Sequence, residues 1–340
     1  MIPRSFRLLL SAGAVAAVLS LSGAGASTAS AAVSDPLALV PADAATVGMV
    51  RIGELKKSPL FSRLFSETNH MTVDGDAALF LSDAGIDIDR DVKLIVFAAR
   101  PGNLVSEDAS DGLVIVQGKF DSTRFGSAMA NRGALVQKNE NGVYYLVRNE
   151  HGADAEIGDH PGAVALLSGR FAVIGSESAV TAAMQAFTSG GTSFSTRGIL
   201  GAELPRIDRA ASAWVLIDLA RASRMGGPSH AMRSRGDGNL QSSLKNVSSF
   251  ALWTATDSDD LRFGASARTR DSETSQLLED TVRGMLSAWR LAAQEKSPEL
   301  VAAIRGFEVQ SRGDSVSLQG TIPGNVVRNL VKDHPSHESR

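Results

Sequence analysis

The sequence contains no cysteine, few aromatic residues and no excess of basic charge. The absence of cysteine excludes disulfides, thiolate zinc sites, iron–sulfur clusters, cysteine nucleophiles and a lipid anchor on cysteine. Aromatic residues make up 5% of the chain, which is little for a protein that binds sugars or single strands by stacking. The 34 basic and 37 acidic residues give a formal charge of -3, which argues against a nucleic-acid partner.

The rest of the composition is typical of a folded globular protein. Apolar residues account for 43% and charged residues for 21% of the 340 residues, and this length suits about two domains. Beyond residue 32, no apolar run approaches the roughly 18 residues that a transmembrane helix needs. We therefore expect no stable transmembrane span in the mature chain.

The first 32 residues have the pattern of a secretory signal peptide. Arg4 and Arg7 precede an apolar run from Leu8 to Leu21, and Ala29-Ser30-Ala31 is a small-residue cleavage pattern. A helix of this length spans about 21 Å, which is short of the roughly 30 Å hydrocarbon core. We predict a Sec-type signal, cleavage near Ala31 or Ala32, and a periplasmic or secreted location. The alternative is an uncleaved N-terminal anchor.

Strand and helix patterns follow one another in two similar sets along the mature chain. Adjacent strands pair as hairpins, and helices lie between the pairs. This order predicts an α+β fold with two similar subdomains of mainly antiparallel sheet and packed helices. The expected divisions are a signal peptide (1–32), two subdomains (33–190 and 191–332) and a disordered tail (333–340). An internal duplication would explain the repeated order.

Several predicted helices follow a residue whose side chain caps helices well. Ser58 and Ser297 each precede a proline, a combination that favours a helix start, and Asp121, Ser176 and Asp271 stand at three other starts. On the helix after Asp271, apolar residues recur at spacings of 4 and 3, which predicts one buried stripe. The stripe comprises Leu278, Val282, Met285, Trp289 and Ala292. Core positions are likewise predicted for the other two tryptophans, Trp214 and Trp253.

Short motifs in the first half resemble a known group of proteins. Pro41-Ala42-Asp43 leads into a strand, Ser58-Pro59 opens a helix, and Gly85-Ile86-Asp87 precedes a strand at Val92. The pattern resembles exported bacterial proteins of unknown function that open with Leu-Pro-Ala-Asp, although Val40 replaces the usual leucine. The resemblance covers residues 36–190. It implies export and a shared fold, and it brings no activity and no catalytic residue.

One segment concentrates the side chains that bind divalent metals. Its two imidazoles and three carboxylates would suit Zn²⁺ or Mn²⁺. They are His151, Asp154, Glu156, Asp159 and His160. The alternative interpretation is a solvated acidic loop, because metal sites usually draw their ligands from rigid elements. No cofactor is predicted.

A second segment has the side chains that copper prefers. Met225, His230 and Met232 supply thioether and imidazole groups. They lie in a glycine- and serine-rich stretch whose arginines would repel a cation, which favours a loop.

Two further motifs are better explained by turn chemistry. Asp87, Asp89 and Asp91 alternate as in a calcium loop, but the glycine and glutamate of that loop are absent, which favours a polar approach to the next strand. Arg-Gly-Asp occurs at 312–314 and again at 235–237, and glycine followed by aspartate suits a tight turn.

No established catalytic motif is present, so we predict neither a catalytic residue nor an enzyme. The leading hypothesis is a non-enzymatic envelope or extracellular interaction protein, with an unknown envelope protein or ligand as partner, bound at a free sheet edge. One alternative is a metal- or small-ligand-binding periplasmic protein. The other is a serine hydrolase with an unrecognised triad that uses His70, His151, His160 or His230 as its base.

Overall fold

The computed structural model describes residues 33–62, 75–101, 110–147, 162–190, 193–194, 199–208, 210–222, 246–257, 259–294 and 297–332. These residues form antiparallel strands with helices packed against them, which confirms the predicted α+β class.

The described part contains twelve strands. They are β1 (Thr46–Val50), β2 (Val92–Pro101), β3 (Ser110–Gly118), β4 (Leu135–Asn139), β5 (Gly142–Val147), β6 (Gly162–Leu167), β7 (Phe171–Ser176), β8 (Ala213–Asp218), β9 (Val247–Asp257), β10 (Asp260–Thr269), β11 (Glu308–Arg312) and β12 (Ser315–Ile322).

The helices vary from one turn to six turns in length. The α-helices are α1 (Ile52–Leu55), α2 (Gly75–Asp83), α3 (Ile88–Asp91), α4 (Ser122–Asn131), α5 (Glu177–Ser189), α6 (Ile199–Glu203), α7 (Leu219–Ala222), α8 (Ser272–Ala293), α9 (Pro298–Arg305) and α10 (Gly324–Lys332). Pro36–Leu39 and Leu204–Arg206 form 3₁₀ turns, and residues 59–62 are also helical.

The chain divides into two compact units that are discontinuous in sequence. The described parts of 1–47 and 70–201 form the first unit, and those of 48–69 and 202–340 form the second. Residues just after β1 therefore belong with the C-terminal part of the chain. Arg51 illustrates this, because its backbone N–H donates to the carbonyl of Ser212 over 2.7 Å.

In the first unit, strands pair in the order β2-β3-β7-β6-β5-β4, each pair antiparallel. Helices cover both faces of this sheet. On one face Phe125 of α4 packs near the Tyr145 ring, with centroids 6.1 Å apart. On the other face Phe171 and Phe187 of α5 have centroids 6.3 Å apart. Alternate side chains of the middle strands thus enter two separate apolar layers.

In the second unit, strands pair antiparallel in the order β11-β12-β10-β9-β8. The apolar core lies between these strands and helices α8, α9 and α10, and includes Leu278, Leu286 and Ile304. Gly264 of β10 lies opposite Trp253 of β9, and a Cβ atom at this glycine would collide with the indole ring. The indole therefore occupies space that only glycine leaves open.

Four of the predicted caps are confirmed. The carboxylates of Asp121 and Asp271 and the hydroxyls of Ser176 and Ser297 accept backbone N–H groups in the first turns of their helices. The prediction for Ser58 is wrong, since its Oγ is buried and has no hydrogen-bond partner in the described part.

The predicted stripe on α8 is wrong at its C-terminal half. Trp289 and Met285 are each 49% exposed, and the residues that pack inward there are Leu286 and Ala293. The inward residues Leu278, Val282, Leu286 and Ala293 are 4, 4 and 7 positions apart, which also fits the helical period. Helix α8 therefore carries two neighbouring apolar faces, and only one of them meets the core. For the other two tryptophans the core prediction is confirmed, since Trp214 and Trp253 are buried.

A buried carboxylate organises one end of the second unit. Glu203 is 2% exposed, and its Oε1 accepts a hydrogen bond from Nε of Arg268 over 2.7 Å. Its Oε2 lies 3.2 Å from Nε of Arg206. Arg268 also donates to Oδ2 of Asp314 over 2.6 Å, and Arg206 donates to Oγ of Ser315. The network thus connects the end of α6 to β10 and to the β11–β12 turn.

We expect Glu203→Gln to lower the free energy of unfolding by about 3 kcal/mol, because the two arginines lose a buried counter-charge. Glu279→Gln is the matched control, since Glu279 pairs with the largely exposed Arg283 on α8 and should cost less than about 0.5 kcal/mol. Urea unfolding measures both values. Equal losses would contradict the role assigned to Glu203.

Trp214 and Trp289 lie in different environments, so truncating each of them should change the free energy of unfolding by a different amount. Trp214→Ala removes a buried ring and should cost about 3–5 kcal/mol. Trp289→Ala removes a half-exposed ring and should cost less than about 1 kcal/mol. Urea unfolding of both variants checks the difference, and a large loss at Trp289 would contradict the orientation of α8.

Candidate functional site

Most of the predicted ligand residues lie outside the described part of the chain. This holds for His151, Asp154, Glu156, Asp159 and His160, so the metal site stays a prediction. It holds also for the Met225–Met232 segment and for every histidine considered as a catalytic base. Within the described ranges, no group of three or more His, Asp or Glu side chains is arranged to hold a metal ion.

The aspartates before β2 serve local structure. Oδ1 of Asp87 accepts the N–H groups of Asp89 and Arg90 and so caps α3. Asp91 receives two hydrogen bonds from the Arg90 side chain and one from the backbone N–H of Asp87. The hydrogen bonds from Arg90 chiefly, and then the one from Asp87, lower the pKa of Asp91 to about 2. These residues form a short capped helix that leads directly into β2, in agreement with the predicted polar approach to that strand.

The Arg-Gly-Asp sequence at 312–314 forms the turn between β11 and β12, as predicted. Gly313 has φ = 60°, which glycine adopts without strain. The Asp314 carboxylate accepts a hydrogen bond from Arg268. The acidic group is therefore engaged by its own protein. The second copy, at 235–237, lies outside the described residues.

The clearest candidate for partner binding is the edge strand β4. Among the described strands it pairs only with β5, from Leu135↔Leu146 to Asn139↔Gly142. A two-residue turn joins these strands, so Val136 and Lys138 direct their backbone N–H and C=O groups away from β5. Unpaired backbone groups of this kind can receive another strand.

Apolar side chains accompany the free edge of β4. Leu135 is 43% and Val136 is 59% exposed, and Val143 on the neighbouring strand is 42% exposed. Side chains of adjacent residues project to opposite faces of a strand, so β4 presents apolar surface on both faces. Two consecutive apolar residues in a strand are a sequence feature that could have indicated this surface. Their side chains lie on opposite faces, so a strand with one buried face leaves one of them exposed.

In contrast to β4, the outer edge of strand β11 in the second unit is covered by side chains. Helix α8 lies beside it, and the Arg283 guanidinium donates to the carbonyl of Val309 over 3.1 Å. The hydroxyls of Ser275 on α8 and Ser311 on β11 lie 2.9 Å apart. These side chains occupy the edge of β11, whereas no comparable cover is described for β4.

The second unit also contains an open cavity of about 560 Å³. Its wall combines two basic and one acidic side chain with hydroxyl and apolar groups. The lining residues are Arg51, Glu54, Lys57, Ser58, Pro59, Ala210, Ala211, Ser212 and Thr256. No sequence pattern indicates this site, because residues 51–59 and 210–256, which form its wall, are far apart along the chain.

No helix in the described ranges is both long enough and apolar enough to cross a membrane.

Comparisons with known proteins find a distant structural resemblance and nothing else. No protein-family model matches the chain, and no curated protein is significantly similar to it. Three crystal forms of TP0453 (III, I and IV) resemble it with a TM-score of 0.48 and identities of 12%, 11% and 13%. They cover 88%, 88% and 87% of this chain and 98%, 97% and 96% of TP0453. A similarity at this level transfers no function.

The lowered pKa of Asp91 predicts a pH-dependent contribution to stability. The stabilisation is complete above the ordinary pKa of 3.8 and is lost as the pH falls towards 2, since protonation then abolishes the ion pair with Arg90. Asp91→Asn should therefore lower the urea midpoint near neutral pH, and the variant and wild-type midpoints should converge as the pH falls below 3.8. Asp280→Asn on α8 corrects for loss of one surface charge. A difference that persists unchanged at low pH would contradict the assignment.

Proposed function

We propose that this chain is an exported, non-enzymatic interaction protein of the envelope or the extracellular space. We propose further that it binds an extended segment of a partner protein along β4. The observation that carries the proposal is the combination at one edge of unpaired backbone groups with the exposed side chains of Leu135 and Val136. Strand addition of this kind uses main-chain hydrogen bonds for affinity and side chains for specificity.

The edge also defines the chemistry of the partner segment. Apolar residues of the partner would cover Leu135 on one face and Val136 on the other. Lys138 lies two residues further along β4, on the same face as Val136, and an acidic residue opposite it would be favoured. The partner is therefore an extended segment with apolar residues on both faces and a carboxylate near one end.

Export rests on the sequence of residues 1–32. The positive start, the apolar run and the Ala29-Ser30-Ala31 pattern support cleavage near Ala31 or Ala32. The chain would then act in the periplasm or outside the cell. The metal-binding and serine-hydrolase alternatives stay predictions, since their histidines lie outside the described residues.

Photo-crosslinking in cells of the native host tests the proposal. A photoreactive phenylalanine replaces Val136 on β4, and the same residue replaces Leu79 on α2, which is similarly exposed at 60%, as the control. We expect a discrete adduct at 136 and none at 79. The intact mass of the purified chain shows in the same experiment whether residues up to 31 or 32 have been removed.

A second pair of variants separates strand addition from other contacts. Lys138→Pro removes an outward N–H, a change that edge strands tolerate, and Lys138→Ala removes the charge but keeps the N–H. The adduct should disappear with proline and persist, in lower yield, with alanine. Thermal unfolding midpoints verify that both variants fold. An adduct that survives proline would contradict strand addition, and an unprocessed chain in the cytoplasm would contradict export.

A further inference from the structure

The cavity in the second unit has the dimensions of a small-molecule site. Its volume of about 560 Å³ lies within the roughly 300–1,000 Å³ that is usual for ligand pockets. Part of its wall is apolar, from Pro59, Ala210 and Ala211, and part is polar. A ligand that combines a polar group with a short apolar body would match this wall.

The charges of the wall leave one positive group without a counter-ion. Nζ of Lys57 lies 3.0 Å from Oε1 of Glu54, so these two charges balance. The Arg51 guanidinium donates through Nη1 to the neutral carbonyl of Ala211. No carboxylate of the described residues forms an ion pair with Arg51. The cavity therefore has a net charge of one positive unit, located on a guanidinium.

A buried hydroxyl without a partner lies in the same wall. Ser58 is 5% exposed, and its Oγ makes no hydrogen bond within the described structure. Buried hydroxyls are normally hydrogen-bonded, because leaving one unpaired costs free energy. This hydroxyl does not cap the helical residues 59–62, although its position in sequence suits that role. An oxygen atom of a ligand that reached this hydroxyl from the cavity would supply the missing partner.

We propose that this cavity binds a small organic carboxylate, with Arg51 as its counter-ion and the Ser58 hydroxyl as a second donor. The planar guanidinium fork matches a carboxylate, and one positive unit balances one negative charge. A dianion such as phosphate would be left with uncompensated charge beside Glu54. This activity is separate from strand addition at β4, which lies in the other unit. The carboxylate could belong to a free acid or to the C-terminus of a peptide.

An NMR titration of the ¹⁵N-labelled mature chain tests the proposal. Sodium propionate is added at millimolar concentrations, with sodium chloride at equal ionic strength as the reference. We expect saturable shifts at the backbone amides of Arg51, Ser58 and Ser212 with propionate alone. Shifts of the same size with chloride, or binding of inorganic phosphate in place of propionate, would overturn the proposal.

Two serine variants provide a matched comparison. Ser58→Ala and Ser249→Ala each remove a buried hydroxyl that has no partner in the described structure, but Ser249 lies on β9 and does not line the cavity. Both should raise the unfolding midpoint, because each deletes an unsatisfied polar group. Only Ser58→Ala should weaken propionate binding, by several-fold. If both variants weaken propionate binding equally, or if neither weakens it, the Ser58 hydroxyl has no role in binding.

A charge variant and two peptides complete the test. Arg51→Gln removes the positive charge but retains an amide that can donate to the Ala211 carbonyl, and it should weaken propionate binding at least tenfold. Its unfolding midpoint separates this loss from a loss of structure. The affinity of triglycine with a free C-terminus is compared with that of propionate. Tighter binding of triglycine identifies a peptide terminus as the ligand, and weaker binding identifies a free acid. Equal binding of C-terminally amidated triglycine would overturn the assignment of the carboxylate.

Discussion

Burial of the Glu203 carboxylate is the constraint on which the second unit depends. A carboxylate that is removed from water is stable only when hydrogen-bond donors or positive charges replace the water. Arg268 on a strand and Arg206 in a 3₁₀ turn provide them for Glu203. Once Arg268 is fixed in this way, its Nη1 atom binds the Asp314 carboxylate and so holds the β11–β12 turn in place. An Arg-Gly-Asp sequence that would suit a receptor is thereby engaged within the protein.

The local order of elements could be predicted from the sequence because short-range chemistry determines it. Caps such as Asp121 and Ser297, and hairpins such as β6–β7, need only neighbouring residues. The orientation of α8 was not predictable in the same way, since its two apolar faces fit the helical period equally well. Packing against β11 and β12 selects the face that includes Leu286. The network of Glu203 with its arginines joins residues more than sixty positions apart, and no sequence pattern predicts it.

Both candidate sites consist of groups that the fold leaves incompletely satisfied. At β4 these are backbone donors and acceptors, together with the exposed Val136 side chain. In the cavity they are the charge of Arg51 and the hydroxyl of Ser58. The histidine- and carboxylate-rich segment 151–160 lies outside the described residues. The cavity wall forms only when residues that are distant in sequence come together, whereas a cluster of histidines and carboxylates is visible in the sequence itself.

The interrupted course of the chain through its two units affects how the protein acquires its structure. Arg51 finds its partners at Ala211 and Ser212, about 160 residues further on. During synthesis from the N-terminus, the residues after β1 are made first. Their partners near Ser212 follow only after the rest of the first unit has been synthesised. Closing so long a loop is slow, and until it closes the helical residues after β1 lack the partners against which they pack. We therefore expect the second unit to complete its structure only after the first unit has been synthesised.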